Sequence, residues 1–485
     1  METMRRSIVL CLCLLPALVF AQARLNNDKN ELPEIGVVAS NAISIDKELL
    51  VGEALMRQLR GRAPIINDPL LEEYIQDLGN RLVAQSDNAK FPFKFFPIGN
   101  NDINAFAFYG GHIGIHTGLI VEADNESELA SVVAHEIAHV TQRHLARSIE
   151  SRQKTSPLQL VSMLGGVLLA MADPEAGIAA ISASQAAGAQ ASINYTRSNE
   201  KEADRVGIET LAHAGYDPSA AATFFGKLAA KYRHQSKPPA FLLTHPLPES
   251  RIADARARQA IYPRIQVGPS LSFHLIKARI QARYTGIRTY DSSYFQAMLD
   301  NAEHPVIKKA AQYGLALTLL DTEQPDKAKP IIDRLLQDDP ENLFYLDTFT
   351  DIALAQKRHH EAVEVLTEHS LKQPRNRVLA LNLANAMIKD GQHNEAVRII
   401  KDYLLINPEH LLSYQLLSEA YGESRQMLEM HQAKAEVYAL IAAYPRAIDE
   451  LQTAYNFTAD STLEKQRIRA RIEQMRDADT RLRNL

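Results

Sequence analysis

Hydrophobic positions recur with two different periods along the chain. Over Glu48–Gly61 and Pro69–Ala84 the apolar residues fall three and four apart, which predicts amphipathic helices. Phe91–Ile98, Ala105–Tyr109 and His112–His116 are short and rich in aromatic and β-branched residues. They predict strands, with Gly110-Gly111 as the turn between the last two. Glu126–Arg152 predicts one long helix, and a further helix carries Asn199–Asp204 and ends near Gly215. Pro263, Gly268 and Pro269 then interrupt the pattern within Tyr262–Ser272. Residues 24–262 therefore read as a mixed α+β domain, and 263–302 as a linker with a helical connection.

Downstream the pattern is helical throughout, and it repeats. Ala328, Ala362 and Ala396 are 34 residues apart, as are Pro340, Pro374 and Pro408. One unit predicts a helix over Ala380–Lys389, a turn at Asp390-Gly391 and a second helix over Glu395–Leu405. A unit of this length, with a small residue early in its second helix and a proline at its exit, resembles the tetratricopeptide repeat. A fourth, less regular unit occupies Leu411–Tyr444, and Leu463–Leu485 reads as a cap. Residues 303–485 thus predict an all-α repeat solenoid, whose curved array is a surface for partners. Its histidines His359, His360, His393, His410 and His431 lack ligand spacing and are expected to be solvated.

The 485 residues are 46% apolar and 23% charged, which excludes a disordered, collagen-like or polytopic membrane chain. A net charge of −5 supplies no electrostatic reason to expect a nucleic-acid partner. The two cysteines, Cys11 and Cys13, sit in the apolar run Ser7–Phe20, between Arg5-Arg6 and the small-x-small site Ala21-Gln22-Ala23. That arrangement predicts a signal peptide over 1–23, its apolar run shorter than the roughly 20 residues of a membrane span. The expected mature chain has no cysteine, and we read its compartment as a bacterial periplasm. A second apolar stretch, Pro157–Ala172, continues as an alanine- and glycine-rich run to Ala191. It reads either as a buried helical pair or as a lid or patch making peripheral membrane contact.

The chemistry is concentrated in Ala134-His135-Glu136-Ile137-Ala138-His139-Val140. Four residues of helix turn about 400°, so His135 and His139 project from one face about 6 Å apart along the axis. Two imidazoles so placed share one zinc ion. Glu136 lies one step round the helix, beside the metal, where it can accept a proton from the attacking water. A metzincin pattern would put glycine at position 142 and the next histidine ten after the first. The chain has Gln142 and His144 instead, and on an uninterrupted helix His144 points about 140° away from His139. His144 therefore reads as a supporting or surface group. The remaining donors come from Asn199-Glu200-Lys201-Glu202-Ala203-Asp204. Glu200 and Asp204 share a face, so one could bind metal while the other orients a histidine. Glu202 has an alternative role as a solvated residue or a capping partner of Asn199. His245, between a turn and Pro246, has three readings: a donor to the oxyanion, a fourth metal ligand, or a structural group.

His-Glu-Ile-Ala-His followed about sixty residues later by Glu-x-x-x-Asp resembles the zinc peptidases of the CAAX prenyl protease and HtpX family. So do Asn104-Ala105-Phe106-Ala107-Phe108-Tyr109-Gly110-Gly111 and Thr244-His245-Pro246-x-x-x-x-Arg251-Ile252. The resemblance implies an α+β zincin-type metalloprotease domain with one zinc ion. It assigns Glu200 as the third ligand and Asp204 as the supporting acid, and makes Asn104, Ala105 and Phe106 part of the substrate-binding edge strand. A signal peptide in front and repeats behind are similar to one exported branch. That branch implies misassembled outer-membrane β-barrel proteins as substrates and their assembly machinery as partner. Backbone pairing of an extended substrate with the strand near Ala105–Phe108 predicts low sequence selectivity and a preference for unfolded polypeptide. A reading of another class is a chaperone-like adaptor of that machinery with little proteolysis. The two differ in whether a Glu136→Gln protein keeps its cellular role.

Overall fold

Ser44 opens the first helix by accepting a hydrogen bond from the Lys47 amide, and Asp68 opens the second by accepting from Leu70 and Leu71. These helices are α1 (Ile45–Arg62) and α2 (Pro69–Val83). The computed structural model describes residues 43–150, 197–233, 241–242, 245–263, 265–285, 289–459 and 461–483. The expected signal peptide and the 157–191 segment lie outside the described residues.

Three strands follow, β1 (Lys94–Ile98), β2 (Ala105–Phe108) and β3 (His112–His116). They form a sheet in the order β1-β3-β2, with β3 parallel to β1 and antiparallel to β2. β2 is therefore an edge strand. The expected turn is a 3-10 turn over Tyr109–Gly111, in which Gly110 and Gly111 both take positive φ (78° and 81°), a conformation open to glycine. Short helix α3 (Thr117–Glu122) leads to α4 (Glu126–Thr141), capped by Asn125 and buried along its whole length.

The expected helix over Glu126–Arg152 is broken. Arg143 takes a left-handed φ of 51°, and α5 (His144–Glu150) starts after it. The break has a specific anchor. The buried Arg143 guanidinium donates to Glu48 on α1 at 3.0 Å and to the Ile43 carbonyl at 2.6 Å, which pulls the chain out of helical continuation. The peptidase part continues with α6 (Arg197–His213), α7 (Ala220–Tyr232) and α8 (Glu249–Gln259). Gly207 lets α6 close on α4: a Cβ there would stand 3.1 Å from the His135 amide nitrogen.

The connection is itself helical, as α9 (Leu271–Arg283) and α10 (Ser292–Asn301). Repeat hairpins follow: α11 (Pro305–Asp321) with α12 (Pro325–Asp338), α13 (Leu343–Ala355) with α14 (His359–Lys372), α15 (Arg377–Lys389) with α16 (His393–Leu404), and α17 (Leu411–Glu423) with α18 (Met427–Leu440). Then come α19 (Tyr444–Asn456) and the closing α20 (Thr462–Arg483). Ala328, Ala362 and Ala396 are fully buried where paired helices meet. The turns share the sequence period. Glu323, Lys357, Gly391 and Arg425 all take positive φ, and each following amide bonds back to the carbonyl five residues earlier, as at Gln392 to Met387 (2.8 Å). Three repeat histidines depart from the expectation of solvation, His393 among them with its Nδ1 shielded from solvent. His410 caps α17 through Ser413 and faces Glu72 of α2 at 3.3 Å, and His431 pairs with Glu450 at 2.6 Å.

One apolar core runs from α2 and the sheet through Phe273, Ile276 and Ile280 of α9 to Phe295, Tyr313 and Phe344 of the first repeats. A cut at residue 303 would strip Tyr313 and Leu317 from that core. Inside it, Arg279 bridges the peptidase part and the repeats, donating to Asp68 and to Asp347 of α13, each at 2.7 Å. Burial works against both charges, but Arg279 and Tyr284 hold Asp68 below the usual aspartate range. Arg279→Met leaves two buried carboxylates without their cation, and should cost about 3–5 kcal/mol in urea unfolding at pH 7. Because the folded pKa of Asp68 is depressed, its contribution is full above the ordinary aspartate value of 3.8 and is lost as pH falls below it. A variant as stable as the parent at pH 7 would contradict this account.

Candidate metal centre and active site

Donors from three separate stretches converge at the C-terminal half of α4. His135 and His139 come from α4, Glu200 from the first turn of α6, and His245 from the segment leading to α8. One donor atom from each lies within 4.8 Å of all the others, and all four residues are buried. His135 Nε2 is 3.0 Å from His139 Nε2 and 3.3 Å from His245 Nδ1. The Glu200 carboxylate lies 3.1 Å from His245 Nδ1, 3.4 Å from His139 Nε2 and 3.5 Å from His135 Nε2.

Polar contacts behind the cluster set the tautomers. His135 Nδ1 is 3.1 Å from Asp204 Oδ1, an ion-pair contact outside hydrogen-bond geometry; the carboxylate favours a proton on Nδ1 and leaves the Nε2 lone pair facing inward. His139 Nδ1 is 2.8 Å from His144 Nδ1, whose Nε2 is 3.3 Å from Glu202. With Glu202 accepting from His144 Nε2–H, His144 Nδ1 accepts from His139, and His139 Nε2 also faces inward without a proton. Two imidazole lone pairs 3.0 Å apart, with a carboxylate beside them, repel unless a cation lies among them. The donor set thus fits a divalent metal.

The electrostatics follow from burial and pairing. Burial opposes charge on His135, but Asp204 and Glu200 overcome it and push its pKa up to about 9, so a metal ion on Nε2 would take the place of the second ring proton that these acids otherwise favour. Burial pushes His139 down. Burial also works against the charge of Glu200, yet His245, His135 and His139 hold it far below the carboxylate range. Asp204 is held down by Arg251 and His135 despite its burial. Arg251 clamps both acids, with two hydrogen bonds of 2.7 Å to Asp204 and a 2.7 Å contact to Glu200. Glu136 is different. It is fully buried, neither carboxylate oxygen has a hydrogen-bond partner among the described residues, and burial raises its pKa. Its Oε1 lies 3.4 Å from His245 Nε2.

The structure gathers His135, Glu136, His139, Glu200, Asp204 and His245 into one site. Asn104, Ala105 and Phe106 lie at the start of the edge strand, all buried, and the Asn104 amide has no hydrogen-bond partner among the described residues. Two roles were not legible beforehand, those of Glu202 and Arg251. His144, expected as a supporting or surface group, supports His139 because the Arg143 kink supplies the turn that a straight helix lacks. Glu202, expected to be solvated or capping, braces His144 together with Arg147 (2.9 Å). Arg251 was visible only as part of a motif; its fork on two acids is a tertiary contact.

This constellation is that of a metallopeptidase. The chain matches Peptidase family M48 over residues 69–259 and the tetratricopeptide repeat over residues 353–416. It belongs to the family of beta-barrel assembly-enhancing proteases. It is 43% identical over 454 residues to the Escherichia coli K12 member, covering 93% of this chain and 92% of that one. A Vibrio cholerae protein, provisionally given the same name, is 47% identical over 467 residues, 96% of each chain. The mitochondrial metalloendopeptidase OMA1 of Schizosaccharomyces pombe is 28% identical over 187 residues, 37% of this chain and 50% of that one. No helix among the described residues is long and apolar enough to cross a membrane.

The geometry ranks the two glutamates of α6. Glu200→Gln should lower bound metal strongly in elemental analysis, whereas Glu202→Gln, one residue removed from the donors, should leave it near the parent level. The reverse ranking would move the ligand to Glu202.

Proposed function

We propose that the chain is a periplasmic zinc endopeptidase that acts on unfolded or misassembled outer-membrane β-barrel proteins in association with their assembly machinery. The observation that carries the reading is the four-donor cluster of His135, His139, Glu200 and His245 with a buried, unsatisfied Glu136 on the same helix. The substrate class and compartment rest on the names of the relatives and on the signal-peptide pattern.

His135, His139 and Glu200 would hold the zinc, which when bound supplies Lewis-acid polarisation of the scissile carbonyl and a lowered pKa for the attacking water. Glu136 does the proton work. A dry site favours its protonated form, so it takes a proton from the attacking water and passes it to the leaving amine. Asp204 keeps the proton of His135 on Nδ1, and Arg251 holds Asp204 and Glu200 in place. An extended substrate pairs with the outer edge of β2, which no described strand covers. Recognition through backbone hydrogen bonds predicts low sequence selectivity and favours unfolded chains.

Glu136→Gln should reduce hydrolysis of an unfolded test protein by about a hundredfold or more with metal content unchanged. Loss of metal together with activity would make Glu136 a ligand instead.

His245 restrains the enzyme in this reading. What supports it is Nδ1 among the donors and Nε2 against Glu136, so one ring fills the place of the attacking water and occupies the base. His245→Ala should then raise the rate of hydrolysis per bound metal, including self-cleavage. An oxyanion donor would instead lose about a hundredfold or more on removal. A clear fall in the metal-normalised rate sinks the restraint.

A further inference from the structure

Glycine is the ordinary residue in the left-handed position just past a helix, and α4 has Arg143 there instead, at φ 51°. Glu323, Lys357 and Arg425 take the same conformation in the solenoid turns, and their side chains are exposed. Arg143 is 5% exposed. Its guanidinium turns inward to the buried Glu48 of α1 (3.0 Å) and to the Ile43 carbonyl just before that helix (2.6 Å). The turn is thus held by the side chain and not by backbone preference.

Glu48 stands on a helix that is gripped along its length. Gly52 lies against the Tyr109 carbonyl, to which a Cβ would approach within 2.1 Å, and Gly61 lies against the Ile441 carbonyl, at 2.6 Å from such a Cβ. Between them Arg57 donates to Glu409 (2.7 Å) and to the Ala439 carbonyl (3.3 Å). A carboxylate on so fixed an element can hold a turn in another segment in place.

What the turn places is His144. It follows Arg143 directly, and its Nδ1 accepts from His139 Nδ1 at 2.8 Å. Had the helix run on through position 143, the His144 ring would point about 140° away from His139. A ligand imidazole that loses the partner of its outer N–H is less basic and less well oriented toward a metal.

We propose that Glu48 and Arg143 are positioning residues of the metal centre: their ion pair holds the left-handed turn that puts His144 under His139, and through that hydrogen bond it sets how tightly the metal is held. Neither residue touches the metal or the substrate. The inference rests on the metal centre read above and gives a part in it to α1, which supplies no donor.

The test separates positioning from stability, on the full-length chain. Apolar replacements of similar volume for a buried ion pair often leave stability unchanged or raised. Glu48→Met/Arg143→Met should therefore unfold in urea near the parent midpoint. It should nevertheless bind zinc about tenfold or more weakly in competition with a chromophoric chelator, and shift the visible spectrum of the cobalt-loaded chain. Glu48→Met/Arg143→Gly should recover part of the affinity, because glycine takes the left-handed turn without an anchor. His144→Ala should lose as much as the double methionine variant, and the triple variant should lose no more, because all three changes act through one hydrogen bond.

Zinc affinity of Glu48→Met/Arg143→Met equal to the parent's overturns the proposal. So does a loss in the triple variant equal to the sum of the separate losses. If the double variant does not fold, Glu48→Gln takes its place: it keeps the shape and one acceptor, weakens the charge-assisted bonds and should cost about threefold in zinc affinity. No loss there overturns the proposal equally. A parent chain that binds no zinc overturns the metal centre and this inference with it, whereas a parent that binds zinc beside unaffected variants overturns the inference alone.

Discussion

The guanidinium of Arg251 is the contact on which the site depends. Three carboxylates, those of Glu136, Glu200 and Asp204, are buried within one small volume. Each buried ion forfeits several kcal/mol of solvation, whereas a charge at contact distance returns on the order of 4 kcal/mol at an effective dielectric of about 20. One arginine held by short hydrogen bonds can therefore support two of the three. It holds Asp204 down in pKa and touches Glu200, which the three histidines hold down, and Glu136 is left raised. The same imbalance yields ionised donors for a metal and a carboxylate with a high affinity for protons, a few ångströms apart.

That arrangement needs helices closer than most side chains permit. Gly207 brings α6 against α4 at His135, which sets how far Glu200 reaches. Arg143 acts at the other end of α4. By leaving the helix to pair with Glu48, it turns His144 back under His139, where Glu202 and Arg147 secure it. The left-handed backbone at a non-glycine residue is unfavourable, and the buried ion pair offsets it.

The repeats are part of the same body rather than a loosely tethered appendage. Arg279 ties the cap of α2 to α13, and the apolar core crosses from the sheet into the first repeats without interruption. Arg57 and Lys94 of the peptidase part both reach Glu409 in the repeats, a second line of contact. A partner bound by the repeats would therefore act on a surface held rigidly relative to the metal site.

What the chain revealed unaided were the features encoded within one helical turn or one repeat. His135, Glu136 and His139 share a helix, so spacing alone determined their relative directions. Alanine and proline 34 residues apart defined the repeat, although only Gly391 of its four left-handed turn positions was visible as a turn signal. The short aromatic segments marked the strands, and the doubled glycine marked the turn between two of them. Tertiary structure alone decided the rest. Glu200 faces the histidines because α6 packs in a particular phase on α4, and spacing within Asn199–Asp204 does not contain that phase. His245 joins the cluster from 110 residues away, and the helix over Glu126–Arg152 breaks because of Glu48, 95 residues upstream. The physical reason is one of scale. Backbone geometry fixes directions over three or four residues, whereas contacts between distant segments depend on the summed packing of a core that no single motif describes.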